Sequence, residues 1–105
     1  MEDVAERVSK SLAKLGAFIV DNRVLDSSLV DSLLSSLGVS GLLSKATLGD
    51  ITVYYVDTSR FRRKCIYEKC SMDNAVLREA CVRDCLAAIE KEIIKAVIEA
   101  LRRHT

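Results

Sequence analysis

Apolar residues recur at steps of three and four along the first twenty positions of the chain. They are Val4, Val8, Leu12, Leu15 and Ile19. This spacing places them on one face of a helix and predicts an amphipathic first helix. Gly16 weakens the end of that helix, and the polar stretch DNR at 21–23 is typical of a turn. We expect the apolar stretch RVL at 23–25 to be short and extended.

A second helical pattern follows between residues 26 and 37. Asp26 or Ser27 can cap its start, and Gly38 is suited to end it as the first residue beyond the helix. Its buried face is predicted to contain Val30, Leu33, Leu34 and Leu37. Ser40 then has the character of a cap for another, shorter helix that reaches Lys45.

Strand-like sequence begins after Gly49 and Asp50. The stretch ITVYYV at 51–56 is rich in β-branched and aromatic residues and predicts a strand. DTSR at 57–60 fits a hairpin turn, and FRRKCIYEK at 61–69 fits a second strand, although its pattern also allows a helix. The inward face of this hairpin stays open, because Ile51/Val53/Tyr55 and Tyr54/Val56/Phe61 are about equally apolar.

The last third of the chain, residues 71–104, predicts one long helix capped by Ser71 or Asp73. Its apolar positions include Leu77, Cys81, Val82, Cys85, Leu86, Ile89, Ile93, Ile94, Val97, Ile98 and Leu101. They face more directions than one small domain covers, so we expect the last three turns to pack against a second copy in a homodimer. In the alternative, the first helix covers these residues within one chain.

This order of elements resembles a winged helix-turn-helix domain. The stretch SSLGVSGLLSK at 35–45 looks like the helix-turn-helix core, and the hairpin over 50–68 stands where the wing belongs. The resemblance implies an α+β, mostly helical fold with a β-hairpin wing. It also implies a single domain over residues 1–105, in which residues 1–68 form the winged-helix core and 71–104 the dimerising helix.

The resemblance further implies double-stranded DNA as the partner of a dimeric transcriptional regulator or nucleoid-type protein. The recognition helix would contribute Ser40, Gly41, Ser44, Lys45 and Thr47. The wing tip concentrates cations that can neutralise phosphates: Arg60, Arg62, Arg63 and Lys64. The alternative is a protein-protein interaction domain or assembly subunit that uses the same fold and binds no DNA.

Length, charge and composition limit these hypotheses about fold and function. The 105 residues suffice for one small domain, half of them are hydrophobic, and the net charge is only +1, so any DNA affinity needs a local patch. No catalytic arrangement is recognisable, so we expect a non-enzymatic protein without a cofactor. The acidic, amphipathic start and the lack of a long apolar run predict a cytoplasmic protein. The absence of glutamine is typical of thermophiles, and we expect an archaeal source.

All four cysteines lie between residues 65 and 85. They are Cys65, Cys70, Cys81 and Cys85. Their spacing lacks the Cys-x2-Cys knuckle of common zinc sites, which weakens a metal or iron–sulfur interpretation without removing it. Cys81 and Cys85 at i,i+4 on one helix are too far apart to bond each other, so oxidised thiols would each reach back to Cys65 or Cys70. Of the two remaining pairings, the nested one, Cys65–Cys85 with Cys70–Cys81, suits a chain that folds back antiparallel to itself. Reduced packing cysteines are the other alternative.

Overall fold

The computed structural model describes residues 4–104, which form an α+β, mostly helical fold. Its elements are α1 (Val4–Leu15), β1 (Ala17–Asp21), α2 (Ser27–Ser36), β2 (Ser44–Leu48), β3 (Ile51–Tyr55), α3 (Arg62–Glu68) and α4 (Ala75–His104). Two short 3-10 helices lie at Ser40–Leu42 and Thr58–Phe61. The strands form one antiparallel sheet in the order β1-β3-β2. The small sheet and the long final helix agree with the predicted fold class.

The chain divides into two compact units. One, the sheet unit, contains the described residues up to Val56 together with those from Ile93 onward. The other, the disulfide unit, contains Asp57–Glu92. Within the described residues, no helix combines the length and the apolar character that crossing a membrane requires.

Helix α1 ends earlier than the apolar spacing suggested. Gly16 adopts a left-handed φ of 72° directly after Leu15, and its N–H donates to the carbonyl of Leu12 at 3.0 Å. Glycine adopts this conformation without the steric cost that a Cβ brings, so the helix stops there. Ile19 therefore lies in strand β1 instead of the helix. The extended segment expected at 23–25 is wrong, because these residues belong to the turn that follows β1.

Helix α2 matches its prediction at both ends. The Asp26 carboxylate accepts a hydrogen bond from the Ser28 N–H at 2.9 Å, and Gly38 has a left-handed φ of 73°. Val30 and Leu34 are buried. A local carboxylate cap and a C-terminal glycine are sufficient to define a short helix whose apolar face packs against a core.

The secondary structure expected at residues 40–45, a helix, and at 61–69, a strand, is wrong. Beyond Gly38 only the single 3-10 turn Ser40–Leu42 forms, and Ser44–Leu48 is strand β2. The hairpin joins β2 to β3 through Gly49 and Asp50, with Leu48 opposite Ile51. Gly49 has a φ of 59°, which suits a two-residue hairpin turn. The strand expected at 61–69 is instead the helix α3.

Local chemistry explains this helix. The Asp57 carboxylate accepts hydrogen bonds from the Ser59 N–H at 3.1 Å and the Ser59 hydroxyl at 2.6 Å. It thereby caps the 3-10 helix Thr58–Phe61, which continues directly into α3. The same Asp-Thr-Ser sequence fits a hairpin turn and a helix cap, because both use a short side chain that bonds the backbone two residues ahead.

The core of the sheet unit contains residues from the first helix and from the end of the last helix. Val8 and Leu12 of α1 are buried in one cluster with Val97 and Leu101 of α4. Residues Ile93, Ile94 and Ile98 pack against the same cluster. These residues of α4 are thus buried or partly buried within one chain, and the homodimer stays a prediction.

The disulfide unit contains both predicted bridges. Cys65 bonds Cys85 and Cys70 bonds Cys81, with Cα–Cα distances of 6.0 and 5.7 Å. This is the nested pairing, and it fastens α3 and the segment after it to the first half of α4. All four cysteines lie in these two pairs, which is consistent with the disulfides predicted from the sequence.

Candidate binding surfaces

The two faces of the sheet differ in what lies over them. The inward face contains buried side chains from strands β1 and β3: Phe18, Val20, Thr52 and Tyr54. Because side chains alternate along a strand, the register assigns the other positions to the opposite face. In cross-strand rows, these are Ala17–Tyr55–Ser44, Ile19–Val53–Ala46 and Asp21–Ile51–Leu48. We call these nine positions the outer sheet face.

The outer sheet face is apolar and open. Seven of its nine residues are hydrophobic, and Ile19 and Leu48 are 57% and 86% exposed. Antiparallel sheets with one solvated face ordinarily carry polar side chains there. Single exposed aliphatic residues are common on proteins, but a contiguous apolar patch marks a surface that binds something.

One end of the outer sheet face is acidic. The Arg23 guanidinium lies 2.8 Å from a carboxylate oxygen of Asp21 and 3.9 Å from one of Asp50. Hydrogen bonds from the Arg23 side chain, and then from its backbone N–H, lower the pKa of Asp21 to about 2. Two carboxylates share one cation here, so this end of the face keeps a net negative charge at neutral pH.

A polar cluster lies on the inward side of the same sheet. The Tyr54 hydroxyl lies 2.7 Å from one carboxylate oxygen of Asp31 and 3.0 Å from the Ser27 carbonyl, and Lys45 donates to the other Asp31 oxygen at 2.9 Å. Burial and the bond to Asp31 raise the pKa of Tyr54. Burial opposes ionisation of Asp31, but the hydrogen bonds from Tyr54 and Lys45 outweigh it, and the Asp31 pKa is lowered.

The predicted recognition residues do not share a helix. Ser40 and Gly41 lie in the 3-10 turn, whereas Ser44, Lys45 and Thr47 belong to strand β2. Lys45 is engaged by Asp31, and the Thr47 hydroxyl lies 3.1 Å from that of Thr52. Residues 17–50 contain four carboxylates and only two cationic side chains. This segment is therefore poorly charged for a phosphate backbone.

The predicted wing cations lie together, but on helical structure in the disulfide unit. Arg60 is in the 3-10 helix, and its guanidinium carbon lies 5.1 Å from the ring centroid of Phe61. Arg62, Arg63 and Lys64 form the first turn of α3. The Arg62 guanidinium forms an ion pair with Glu79 of α4.

The outer sheet face was not proposed as a site from the sequence, although a signal for it was present. Both alternating sets on the strand at 51–56 are apolar, which is unusual for a strand with only one buried face. The exposed ring of Tyr67 beside the cations gave no such signal, because a strand was expected there.

Comparison of the chain with protein-family models, with curated proteins and with solved structures found no match. The surfaces themselves are therefore the basis for a functional hypothesis.

Proposed function

We propose that this protein is a non-catalytic protein-binding domain that holds an amphipathic helix of a partner protein on its outer sheet face. The observation that carries the proposal is the uncovered, largely hydrophobic face of a three-stranded sheet. Burying one leucine or isoleucine side chain there contributes about 1.5–3 kcal/mol, and several are available. This was the alternative to DNA binding that the sequence left open.

The order helix, strand, helix, short turn and hairpin supports a resemblance to winged-helix domains in the sheet unit. The charges favour a protein partner for that fold. The hairpin turn contains Gly49 and Asp50 in place of cations. Between Gly38 and β2 the helical structure is the single 3-10 turn Ser40–Leu42, which is too short to enter a DNA groove. Regulation through duplex binding by these elements therefore has little support.

The dimensions of the outer sheet face favour a helix over a second copy of the domain. Five residues per strand and three strands span about 17 by 14 Å, or roughly 240 Å². A stable interface between two domains buries about 800 Å² on each partner. A helix of about 11 residues is about 17 Å long and 10 Å wide, which matches the face. The acidic end near Asp21 and Asp50 suits a lysine or arginine on that helix.

A synthetic helix tests the proposal directly. The probe is a fluorescein-labelled leucine–lysine peptide of about 14 residues with leucines at i, i+3, i+4 and i+7. A scrambled peptide of the same composition is its control. We expect the probe, and not the scrambled peptide, to raise fluorescence anisotropy when the protein is added. Leu48→Asp should weaken binding by at least about tenfold, although it adds a negative charge that attracts the peptide.

Matched variants separate the face from general hydrophobicity. Ile19 on the outer sheet face and Leu29 on α2 are both 57% exposed. Ile19→Asp should weaken probe binding, whereas Leu29→Asp should not, and circular dichroism checks that each variant is folded. Equal effects of the two substitutions, or no binding of the probe, would refute the proposal. If the protein forms a stable dimer that Leu48→Asp dissociates, the occupant of the outer sheet face is a second copy of the chain and not a partner helix.

A further inference from the structure

The cations of the disulfide unit share a helical face with an exposed aromatic ring. The 3-10 helix Thr58–Phe61 leads directly into α3, so Arg60, Arg63, Lys64 and Tyr67 follow the i, i+3, i+4, i+7 spacing of one stripe. Tyr67 is 74% exposed. An exposed tyrosine on a cationic helix has no role in the core, and its ring is accessible to a ligand.

Most of the charge of this stripe is not neutralised. Residues 60–69 contain five cationic side chains and one glutamate, in a chain whose net charge is +1. Arg62 is paired with Glu79. Within residues 4–104, Arg63 and Lys64 form no ion pair, and both are exposed. The stripe therefore attracts an anionic ligand more strongly than the overall charge indicates.

Two residues of the stripe, Arg63 and Tyr67, border an open groove. It has a volume of about 390 Å³ and is lined by Ser59, Arg62, Arg63, Ile66 and Tyr67. The guanidinium groups can bond phosphate oxygens, and the planar ring of Tyr67 can stack on a base. The bridge from Cys65 to Cys85 holds this helix against α4, so the stripe is presented in one orientation.

We propose that this stripe, independently of the outer sheet face, is a binding site for single-stranded nucleic acid. Arg63 and Lys64 neutralise consecutive phosphates, and Tyr67 stacks on an unpaired base. A single strand suits the site better than a duplex, because bases inside a duplex already stack on one another and do not offer their faces. No sequence preference is required, since every base has a face for stacking.

Fluorescence anisotropy with an oligothymidylate of about twelve nucleotides tests the site, at about 50 and 200 mM salt. Tyr67→Ala should weaken binding about 5- to 150-fold, the range for loss of one base–aromatic stack. Tyr67→Phe, which keeps the ring, should bind like the unmodified protein. Arg63→Ala combined with Lys64→Ala should lower the slope of log affinity against log salt by about 1.4.

A charge-matched control is available on α4. Lys91→Ala combined with Lys95→Ala removes the same charge from exposed positions outside the stripe and should leave both affinity and slope nearly unchanged. Thermal unfolding of each variant checks that the fold is kept. Leu48→Asp should also leave oligothymidylate binding unchanged, so the outcome does not depend on the protein-binding proposal.

Several results would overturn the inference. The first is no binding of the oligothymidylate at the lower salt. The second is equal affinity of Tyr67→Ala and the unmodified protein. The third is a loss of affinity in the Lys91→Ala, Lys95→Ala control as large as that in the Arg63→Ala, Lys64→Ala variant. A duplex of the same length bound as tightly as the single strand would identify a general phosphate site instead. Polyglutamate bound as tightly as the oligothymidylate would identify a site for acidic protein.

Discussion

Removal of the two disulfides should loosen the disulfide unit and leave the sheet unit folded. Among the residues 57–92, those buried in the structure are Cys65, Cys70 and Val82. Two of the three belong to the bridges themselves. Folded segments of fewer than about 40 residues usually need such cross-links, because they bury too little apolar surface to offset the entropy of the chain. The sheet unit, in contrast, contains the extended aliphatic cluster.

The expected magnitude follows from the loops that the bridges close. The separation of 20 residues between Cys65 and Cys85 corresponds to about 3.3 kcal/mol in the chain-entropy model. The separation of 11 residues between Cys70 and Cys81 corresponds to about 2.8 kcal/mol. One loop lies inside the other, so the sum overstates the joint effect. A loss of about 3 kcal/mol raises the opening equilibrium constant of this unit about 100-fold and lowers its hydrogen-exchange protection by the same factor.

Hydrogen exchange followed by mass spectrometry measures this by segment. We expect the quadruple Cys→Ser variant to lose at least about 100-fold protection across α3, Arg62–Glu68. Amides of β3, Ile51–Tyr55, should exchange nearly as in the oxidised protein. Unchanged protection in α3 would refute the claim that the bridges maintain this unit. Equal loss in α3 and β3 would refute the independence of the two units.

Three further predictions concern the sheet unit. Tyr54→Phe should lower the free energy of unfolding in urea by about 1–3 kcal/mol, because it leaves the half-buried Asp31 carboxylate without one hydrogen-bond donor; an unchanged midpoint would contradict this. The pKa of Asp21 is depressed to about 2, so its pairing with Arg23 stabilises the fold above pH 4 and is lost as the pH falls towards 2. Asp21→Asn should therefore lower the melting temperature at pH 7 and have little effect at pH 2, whereas an equal effect at both would exclude this pair. Gly49→Ala should lower the free energy of unfolding by about 1 kcal/mol, because residues with a Cβ rarely adopt the Gly49 φ of 59°. An added Cβ would meet no atom within 4 Å, so the backbone conformation alone causes this loss. Calorimetry checks the prediction, and unchanged stability would contradict the turn.

Much of the fold was predictable from local chemistry. The carboxylate of Asp26 and the glycine at 38 define α2, and the i,i+4 spacing of Cys81 and Cys85 limits the pairing of the bridges. These features depend on groups only a few residues apart, whose geometry is nearly independent of the rest of the chain. The strand at 51–56 and the helix from residue 75 onward are also strong local signals.

The errors share a physical cause. Ser44–Leu48 has little strand character, yet it becomes β2 because β3 offers it a ladder of backbone hydrogen bonds through a two-residue turn. Ala17–Asp21 likewise becomes a strand by pairing with β3. Strand formation depends on such partners more than on intrinsic preference. Because β3 is paired on both sides, Phe61–Glu68 cannot pair with it as the second strand of a hairpin, and the Asp57 cap favours a helix there.

The sequence by itself determined the capped helix, the exclusion of a Cys81–Cys85 bridge and the apolar character of both sides of β3. Tertiary pairing decided which side of that strand faces the core, because only a register with β1 and β2 distinguishes Tyr54 from its neighbours Val53 and Tyr55. The same pairing leaves a hydrophobic face uncovered. Side-chain alternation is a local property, but burial requires a second layer, and the chain supplies that layer on one side of the sheet.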